Sequence, residues 1–523
     1  MVQDCAYGRG VVDVGVSRWA RPVISRSVMR PEPGPGDTAR GWWVTIALTL
    51  IAAVTRFERL GSTTEGGTPV FDEKYYALQA WEMLTNGMGI EDNPGYVVVV
   101  HPPAGKLLIA LGEMLFGYSP LGWRISAAVA GTVLVLLVIR IVRRLAHSTM
   151  IGAVAGILMI AEGVTLVSSR IGMLDIFLTV LVTGAFGCLI VDRDEVRARM
   201  ATAEAAGRVS ATSFGPRLGV RWWRFAAGVL LGLACATKWS GAYFMVCFVV
   251  LCLGFDAAAR RHYGVRRPFA GTLARDAAPA VFALIVVAVG VYLGSYAGWF
   301  ASESAINRHA VGIQVGSGGF FSFVPDALRA LWFQHAEVLG VHTHLTNSAG
   351  FHHPWESKPW TWPMGLRPML YHFTDPAQTT GCGQSSCVRA IMLVGTPAIW
   401  WLAFPAVGWA LWQTVTRRDW RYLAVLAGYA AGWLPWFAVL DRQMYYFYAT
   451  AMAPFLVMLV ALALGQILGR VTESRERRDT GLLVVCLYLG LVVANFVWNY
   501  PILTAMPITG SSWQQHLWLP SWR

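Results

Sequence analysis

Apolar runs of near-membrane length recur along the chain. They fall at roughly 42–58, 122–142, 148–168, 173–191, 222–240, 242–258, 277–299, 390–412, 421–440, 446–468 and 481–499. Each approaches the ~20 residues that a helix needs to cross ~30 Å of hydrocarbon. The pattern therefore predicts an all-α polytopic membrane protein with about eleven spanning helices. A further run, 103–117, is shorter and carries Lys106 and Glu113.

The polar segments between the runs are of two kinds. One is rich in arginine: Arg140–Arg144, Arg193–Arg224, Arg260–Arg275, Arg417–Arg421 and Arg470–Arg478. The other gathers Asp, Glu, His, Trp, Gly and Pro. Basic loops stay on the cytoplasmic side. All the basic clusters fall on one side only if 103–117 does not span, so that segment is expected to be a re-entrant or interfacial helix. The N-terminus is then cytoplasmic and the C-terminus outside. Two long segments, 59–121 and 300–389, lie on the outer face of the cell membrane, where the site chemistry is expected.

Composition narrows the classes further. Hydrophobic residues make up 55% of the 523 and charged residues only 14%, against about 25% charged in soluble chains. This excludes a soluble enzyme, a disordered protein and a nucleic-acid-binding domain. The formal net charge of +12 calls for no nucleic-acid partner, because the charge sits in short clusters between apolar runs. Residues 1–41, rich in Arg, Pro and Gly, read as a disordered basic cytoplasmic tail, and no cleavable signal peptide is evident. The membrane unit is expected over 42–523. No internal repeat is evident, which counts against inverted-repeat transporters. Lysine occurs only at Lys74, Lys106, Lys238 and Lys358, so each lysine retained among so many arginines draws notice.

The first outer segment contains Phe71-Asp-Glu-Lys-Tyr-Tyr76, followed by Ala77, Ala80, Trp81 and Leu84 at helical spacing. Asp72 sits at or just before the helix start, and two readings are open there: a helix cap or site chemistry. His101-Pro-Pro-Ala-Gly-Lys106 follows, with His101 and Lys106 placed either to face an anion or, for the lysine, to snorkel. Charges near the membrane are costly unless used. Arg124, Arg170, Asp175, Lys238 and Arg442 all fall at the outer ends of spans, and Arg170 is alternatively a partner for Asp175. Their convergence on one face points to an anionic ligand. Seven of the eleven histidines lie in 300–389, including His335, His342, His344, His352 and His353. No carboxylate or thiol there has ligand spacing, so no metal site is expected, and a divalent requirement is left open. Cys188, Cys235, Cys247, Cys252 and Cys486 read as small hydrophobes, and Cys5 lies in the tail. Cys382 and Cys387, outside in this topology, are expected to form a disulfide.

Taken together, these segments resemble the protein O-mannosyltransferases. The resemblance rests on F-D-E-x-Y-Y, H-P-P-x-G-K-L-L-I, S-R-x-x-x-L-D, K-W-S-G, H-P-W-x-S-x-P-W-x-W-P-x-x-x-R-P and R-x-x-Y-Y-F-Y, in this order over about residues 41–523. The form is similar to bacterial members, since some 90 residues in the second outer segment are too few for a β-trefoil domain beside the H-P-W element. The resemblance implies a GT-C-type fold and a polyprenyl phosphate mannose donor. It also implies an acceptor Ser or Thr hydroxyl on an unfolded secretory polypeptide, emerging from the secretion channel.

The same resemblance implies an inverting transfer with Asp72 as general base. Glu73 then orients the acceptor or the surroundings of the carboxylate. Arg124, Lys106 and Lys238 hold the lipid phosphate, and His353 and Trp355 contact sugar or phosphate from the large loop. A lipid phosphate leaves as a weak base, so the second carboxylate of a glycosidase is not required. A related transferase acting on a lipid or polysaccharide is the alternative. A transporter would place its charges nearer the midplane.

Overall fold

The computed structural model describes residues 39–62, 64, 67–86, 100–374, 379–469 and 474–523. Most of the expected tail, with Cys5, lies outside them, as do Arg470 and residues 471–473. The described residues begin with α1 (Ala39–Phe57) and two helices of the 59–121 segment, α2 (Glu73–Thr85) and α3 (Ala104–Phe116). A long α4 (Pro120–Ala146) follows, then α5 (Thr149–Ile160), α6 (Gly163–Ser168), α7 (Asp175–Ala205), α8 (Trp222–Thr237), α9 (Gly241–His262) and α10 (Pro268–Ser295). Next come α11 (Asp326–His344) and the strands β1 (Met369–Phe373), β2 (Cys387–Val388) and β3 (Ala390–Leu393). Last come α12 (Ala403–Thr416), α13 (Trp420–Val439), α14 (Tyr446–Leu468), α15 (Arg475–Thr504), β4 (Ile508–Thr509) and α16 (Gly510–His516).

The protein is mostly helical and polytopic. Among the described residues, seven helices are long and apolar enough to cross a membrane: α4, α7, α9, α10, α13, α14 and α15. The apolar α5 and α8 are shorter. At 13 residues, α3 is about 20 Å long at 1.5 Å per residue, too short to cross. It folds back on α4 through Gly117, whose φ of 71° lies in the left-handed region that glycine accommodates.

Three apolar runs depart from the simple pattern. The run 148–168 is not one helix. It breaks at Ala161–Glu162, where the buried Glu162 carboxylate accepts hydrogen bonds from the Val164 and Thr165 amides (2.8 and 2.7 Å) and from Trp400 Nε1 (2.8 Å). That carboxylate caps α6 and offsets the orphan donors a broken helix leaves. The run 390–412 begins as a strand, so the all-α expectation is corrected. β3 pairs antiparallel with β1, and β2 with β4. A short, fully buried apolar run cannot be told from a helix by periodicity, and Gly395 and Pro397 end it. The 446–468 run starts as a tighter 3₁₀ turn, Tyr446–Met452.

α7 and α14 are the most enclosed of the long helices and run through the main core. The 300–389 segment is stitched to residues 508–523. Cys382 and Cys387 are joined in a disulfide (Cα–Cα 5.7 Å) beside the β2–β4 pair. The Arg367 guanidinium donates to the carbonyls of Pro354, Ser521 and Arg523, and Trp522 Nε1 donates to the Gly365 carbonyl (3.1 Å).

Close helix packing generates the first prediction. A Cβ on Gly228 of α8 would lie 1.8 Å from the Ala283 carbonyl of α10, whereas one on Gly290 meets nothing within 4 Å. Gly228→Ala is expected to destabilise by about 1–3 kcal/mol through overpacking. Gly290→Ala is expected to be neutral or stabilising by up to ~1 kcal/mol. Thermal unfolding in detergent measures both, and equal melting of the two variants contradicts the packing account.

Candidate active site

A cavity of about 690 Å³ opens where the start of α2, the first residue of α7, the end of α8, α11 and the segment after α13 meet. Asp72, His101, Asp175, Lys238, His342 and Arg442 all line it. Asp72 occupies the N-cap position of α2, yet its side chain makes no capping hydrogen bond. The residue before it, Phe71, has φ 49°, uncommon for a bulky side chain. Its ring is held against Tyr371 (5.3 Å), Phe447 (6.0 Å), Tyr445 and His353 (6.3 Å each). Burial raises the Asp72 carboxyl to about 6, opposed by Lys238 and reinforced by Asp175.

Glu73, the next residue, is fully buried and fully used. Its carboxylate accepts two hydrogen bonds from Arg124 (Nε 2.8 Å, Nη2 2.7 Å), one from the Val70 amide (2.9 Å) and one from the Gly172 amide (2.7 Å). The two adjacent acids therefore differ completely in surroundings.

Lys238 ends α8 and Asp175 begins α7. Their side chains meet with Nζ 2.9 and 3.1 Å from the two carboxylate oxygens. The helix ends favour this assignment of charge, an anion at an N-terminus and a cation at a C-terminus. The Lys238 ammonium also lies 5.2 Å from the Phe447 ring centroid. Arg442 Nη2 donates to His342 Nδ1 (3.1 Å), and His342 Nε2 lies 3.2 Å from the Val100 carbonyl. A guanidinium can only donate, so the His342 proton is on Nε2 and the ring is neutral. Burial, Arg442 and Lys238 accordingly lower His342 to about 4. His101, 5.8 Å from His342 between ring centroids, is held well below the usual histidine range by burial and by Lys238.

Residues of the 300–389 segment fix Arg442. Lys358 Nζ donates to Asn347 Oδ1 (2.5 Å) and to the carbonyls of Leu440 and Arg442 (3.0 Å each). The Ser357 amide reaches the Met444 carbonyl (2.8 Å), and the Gln443 amide that of Leu345 (3.0 Å).

Of the residues expected at an anion, His101, Asp175, Lys238 and Arg442 come together with Asp72. Arg124 does not line the cavity; it is committed to Glu73, which corrects its expected place on phosphate. Lys106 is fully buried in the first turn of α3 and is not among the lining residues either. Arg170 does not pair with Asp175. It donates to the carbonyls of Thr55 and Arg56 at the end of α1 (2.9 and 3.2 Å). His353 packs edge-on against Tyr445 (5.3 Å), and Trp355 lies under Arg367 (4.8 Å); neither lines the cavity. Among the described residues, no three His, Cys, Asp or Glu side chains stand together as for a metal. Sequence reasoning missed His342 and Tyr76 as cavity residues. Their aromatic spacing on helices carried no mark separating them from core.

Known proteins are similar to this chain in sequence and in fold. Residues 120–297 match the family described as dolichyl-phosphate-mannose-protein mannosyltransferase, and residues 327–522 its C-terminal four-span region. A polyprenol-phosphate-mannose–protein mannosyltransferase of Mycolicibacterium smegmatis is 58% identical over 504 residues, 96% of this chain and 97% of the relative. The enzyme of that name from Corynebacterium glutamicum is 44% identical over 488 residues, 92% of this chain and 93% of the relative. The chain belongs to the protein O-mannosyltransferase family. It is thus a membrane glycosyltransferase. The Saccharomyces cerevisiae Pmt1–Pmt2 complex bound to the sugar donor superposes with TM-score 0.70 at 15% identity, covering 93% of each chain. An Archaeoglobus fulgidus oligosaccharyltransferase does so at 0.53 and 13% identity, covering 90% of this chain and 56% of that one. These two likenesses establish a shared fold.

The contrast between the two acids is measurable. Glu73→Gln strands a buried guanidinium and is expected to lose about 3–5 kcal/mol. Asp72→Asn removes a desolvated, uncapped carboxylate and is expected to leave unfolding temperature unchanged or raised. The reverse order in a thermal melt contradicts this assignment.

Proposed function

We propose that the chain transfers mannose from a polyprenyl phosphate mannose to Ser or Thr hydroxyls of secreted polypeptides, with inversion, on the outer face of the membrane. The observation that carries this reading is Asp72. Its carboxylate sits at a helix start without capping it, on a cavity that also holds the Asp175–Lys238 pair and Arg442. The relatives named above are called protein mannosyltransferases using polyprenol phosphate mannose, which supports the donor and the acceptor class.

The chemistry then runs as follows. The acceptor hydroxyl attacks the anomeric carbon from the face opposite the phosphate, and the Asp72 carboxylate takes its proton. The C–O bond to phosphate breaks, and the lipid phosphate departs with the electron pair. Lys238 and Arg442 stabilise the charge that grows on it, in a site where water is scarce and such contacts are strong. The neutral His101 offers hydrogen bonds without adding charge, and His342, with both ring nitrogens engaged, holds the Arg442 guanidinium. Glu73 takes the role of positioning residue: it locks the first turn of α2 to α4 and so holds Asp72 against the cavity.

Orientation is supported by helix polarity. α8 runs from Arg221 and Arg224 to Lys238 at the cavity, and α7 from Asp175 at the cavity to Arg193 and Arg197. The basic clusters and the cavity thus occupy opposite ends of the same helices, which under the positive-inside rule supports a cavity on the outer face and a cytoplasmic N-terminus.

An assay in membranes with radiolabelled polyprenyl phosphate mannose and a Ser/Thr-rich peptide tests the proposal. Transfer to lipid but not to peptide defeats the protein acceptor. Asp72→Asn is expected to lower turnover by about 10²–10⁴-fold while donor binding persists. For the unsubstituted enzyme, kcat/KM is expected to be flat above pH ~6. Below that it falls about tenfold per pH unit as Asp72 becomes protonated; a flat acid limb removes Asp72 from the base role. Lys238→Ala is expected to raise the donor KM by tenfold or more with little change in peptide dependence.

A further inference from the structure

The link from α10 to α11 presents a cluster of bare aromatic rings. Ile313, Phe320, Phe323 and Trp332 are 76–84% exposed, and Phe321 is 64% exposed. The phenylalanine rings lie against one another, with centroids 5.2 Å apart for Phe320 and Phe321, 6.3 Å for Phe320 and Phe323, and 6.5 Å for Phe321 and Phe323. From Val311 to Val324 the sequence holds no charged residue. Contiguous bare apolar surface of this kind marks a contact with a partner or a membrane.

The loop that carries the rings is held in shape from below. Arg329, in the first turn of α11, donates to the carbonyls of Gly316 and Ser317 and pairs with Asp326 (3.2 Å), so its charge is turned inward under the loop. The Gly312 amide donates to the Val315 carbonyl (2.7 Å). Val311 and Val315 pack in one small core with Leu293, Tyr296 and Phe300. Those three residues close the apolar run 277–299, so the foot of the loop is level with the edge of the hydrocarbon that this run spans.

Three observations say what covers the rings. With α15, α10 is the least enclosed of the long helices, and its Val286 and Val289 are bare; the loop is therefore rooted on a helix whose surface is given to lipid. The same end of α10 belongs to the Asp72 cavity, because Trp239, which lines that cavity, donates from Nε1 to the Tyr292 hydroxyl (3.0 Å). On α11, Leu328, Trp332 and Leu339 are all exposed, and their spacing puts them on one face of the helix. This stripe leads from the ring cluster to the cavity, which Leu339 lines.

We propose that the Ile313–Phe323 loop and the Leu328–Trp332–Leu339 stripe insert among the acyl chains of the leaflet beside the cavity. Helices with Trp, Phe and Leu along one face lie in the plane of the interface in this way, and the uncharged loop offers a protein partner no ion pair. The inserted rings anchor α11 to the bilayer. Since Leu339 and His342 of α11 line the cavity, the anchor steadies one wall of it against the membrane from which a lipid ligand would enter.

The test places a nitroxide at Phe321→Cys, in full-length protein whose cysteines outside the disulfide are changed to alanine, reconstituted in vesicles of phosphatidylcholine and phosphatidylglycerol. Collisions with oxygen, which concentrates among acyl chains, and with a water-soluble nickel chelate report its depth. Oxygen collisions are expected to exceed nickel collisions severalfold at Phe321→Cys and at Trp332→Cys. The order is expected to reverse at Glu303→Cys, whose native carboxylate is 84% exposed. Nickel dominance at Phe321→Cys, or the same ratio at all three positions, overturns the proposal. Loss of both collision rates with spin–spin broadening overturns it in favour of contact with a second copy of the chain. Phe320→Ser with Phe321→Ser and Phe323→Ser removes only exposed rings and is expected to leave thermal unfolding in detergent unchanged. In vesicles it is expected to speed amide exchange along α11 by about tenfold or more, and unchanged exchange overturns the anchoring role. Neither readout depends on which reaction the cavity carries out.

Discussion

A carboxylate removed from water must be neutralised and hydrogen-bonded or it destabilises the fold. Glu73 meets that demand with one guanidinium and two backbone amides, drawn from α4, from the turn before α2 and from the segment before α7. Those three elements cannot move independently while the carboxylate stays satisfied. Adjacent residues on a helix are about 100° apart around its axis. Fixing Glu73 toward α4 therefore turns Asp72 to a different side, where it lines the cavity. The same two-residue motif supplies a rigid anchor and a cavity-lining carboxylate because their surroundings differ, not their chemistry.

The charges of the cavity follow from helix direction. Asp175 opens α7 and Lys238 closes α8, so each carries the sign that its helix terminus stabilises. Arg442 has no helix behind it and is held instead by backbone: Lys358 pins the carbonyls on either side of Asp441, and the Ser357 and Gln443 amides complete the clamp. The H-P-W segment thus acts on the cavity through the shape of the Arg442 loop.

Much of this was legible in the chain. Apolar run lengths gave the membrane class, the short run around Lys106 gave a non-crossing helix, and charges at span ends pointed to Asp175, Lys238 and Arg442. What was not legible depended on partners far away in sequence. Arg124 looked like a free cation because its partner, Glu73, is 51 residues away. Glu162 sat inside an apolar run and drew no attention, although its carboxylate creates the break between α5 and α6. β3 read as the start of a span because four buried apolar residues have no period of their own. His342 was visible as one histidine of several. Only the fold brings it to Arg442, 100 residues on.

The stitching of the 300–389 segment to residues 508–523 bears on how the protein is made. Arg367 must wait for Ser521, 154 residues later, and at about 5–20 residues per second of synthesis that is on the order of ten seconds. Through that interval Arg367 lacks these partners, while the cysteines at 382 and 387 are already close enough in sequence to join. Local closure by the disulfide thus precedes long-range closure by the terminal strand. Contacts of such high sequence separation form late because their ordering cost comes before their reward. The contacts of Arg367 with Ser521 and Arg523 are therefore among the last in the molecule to form.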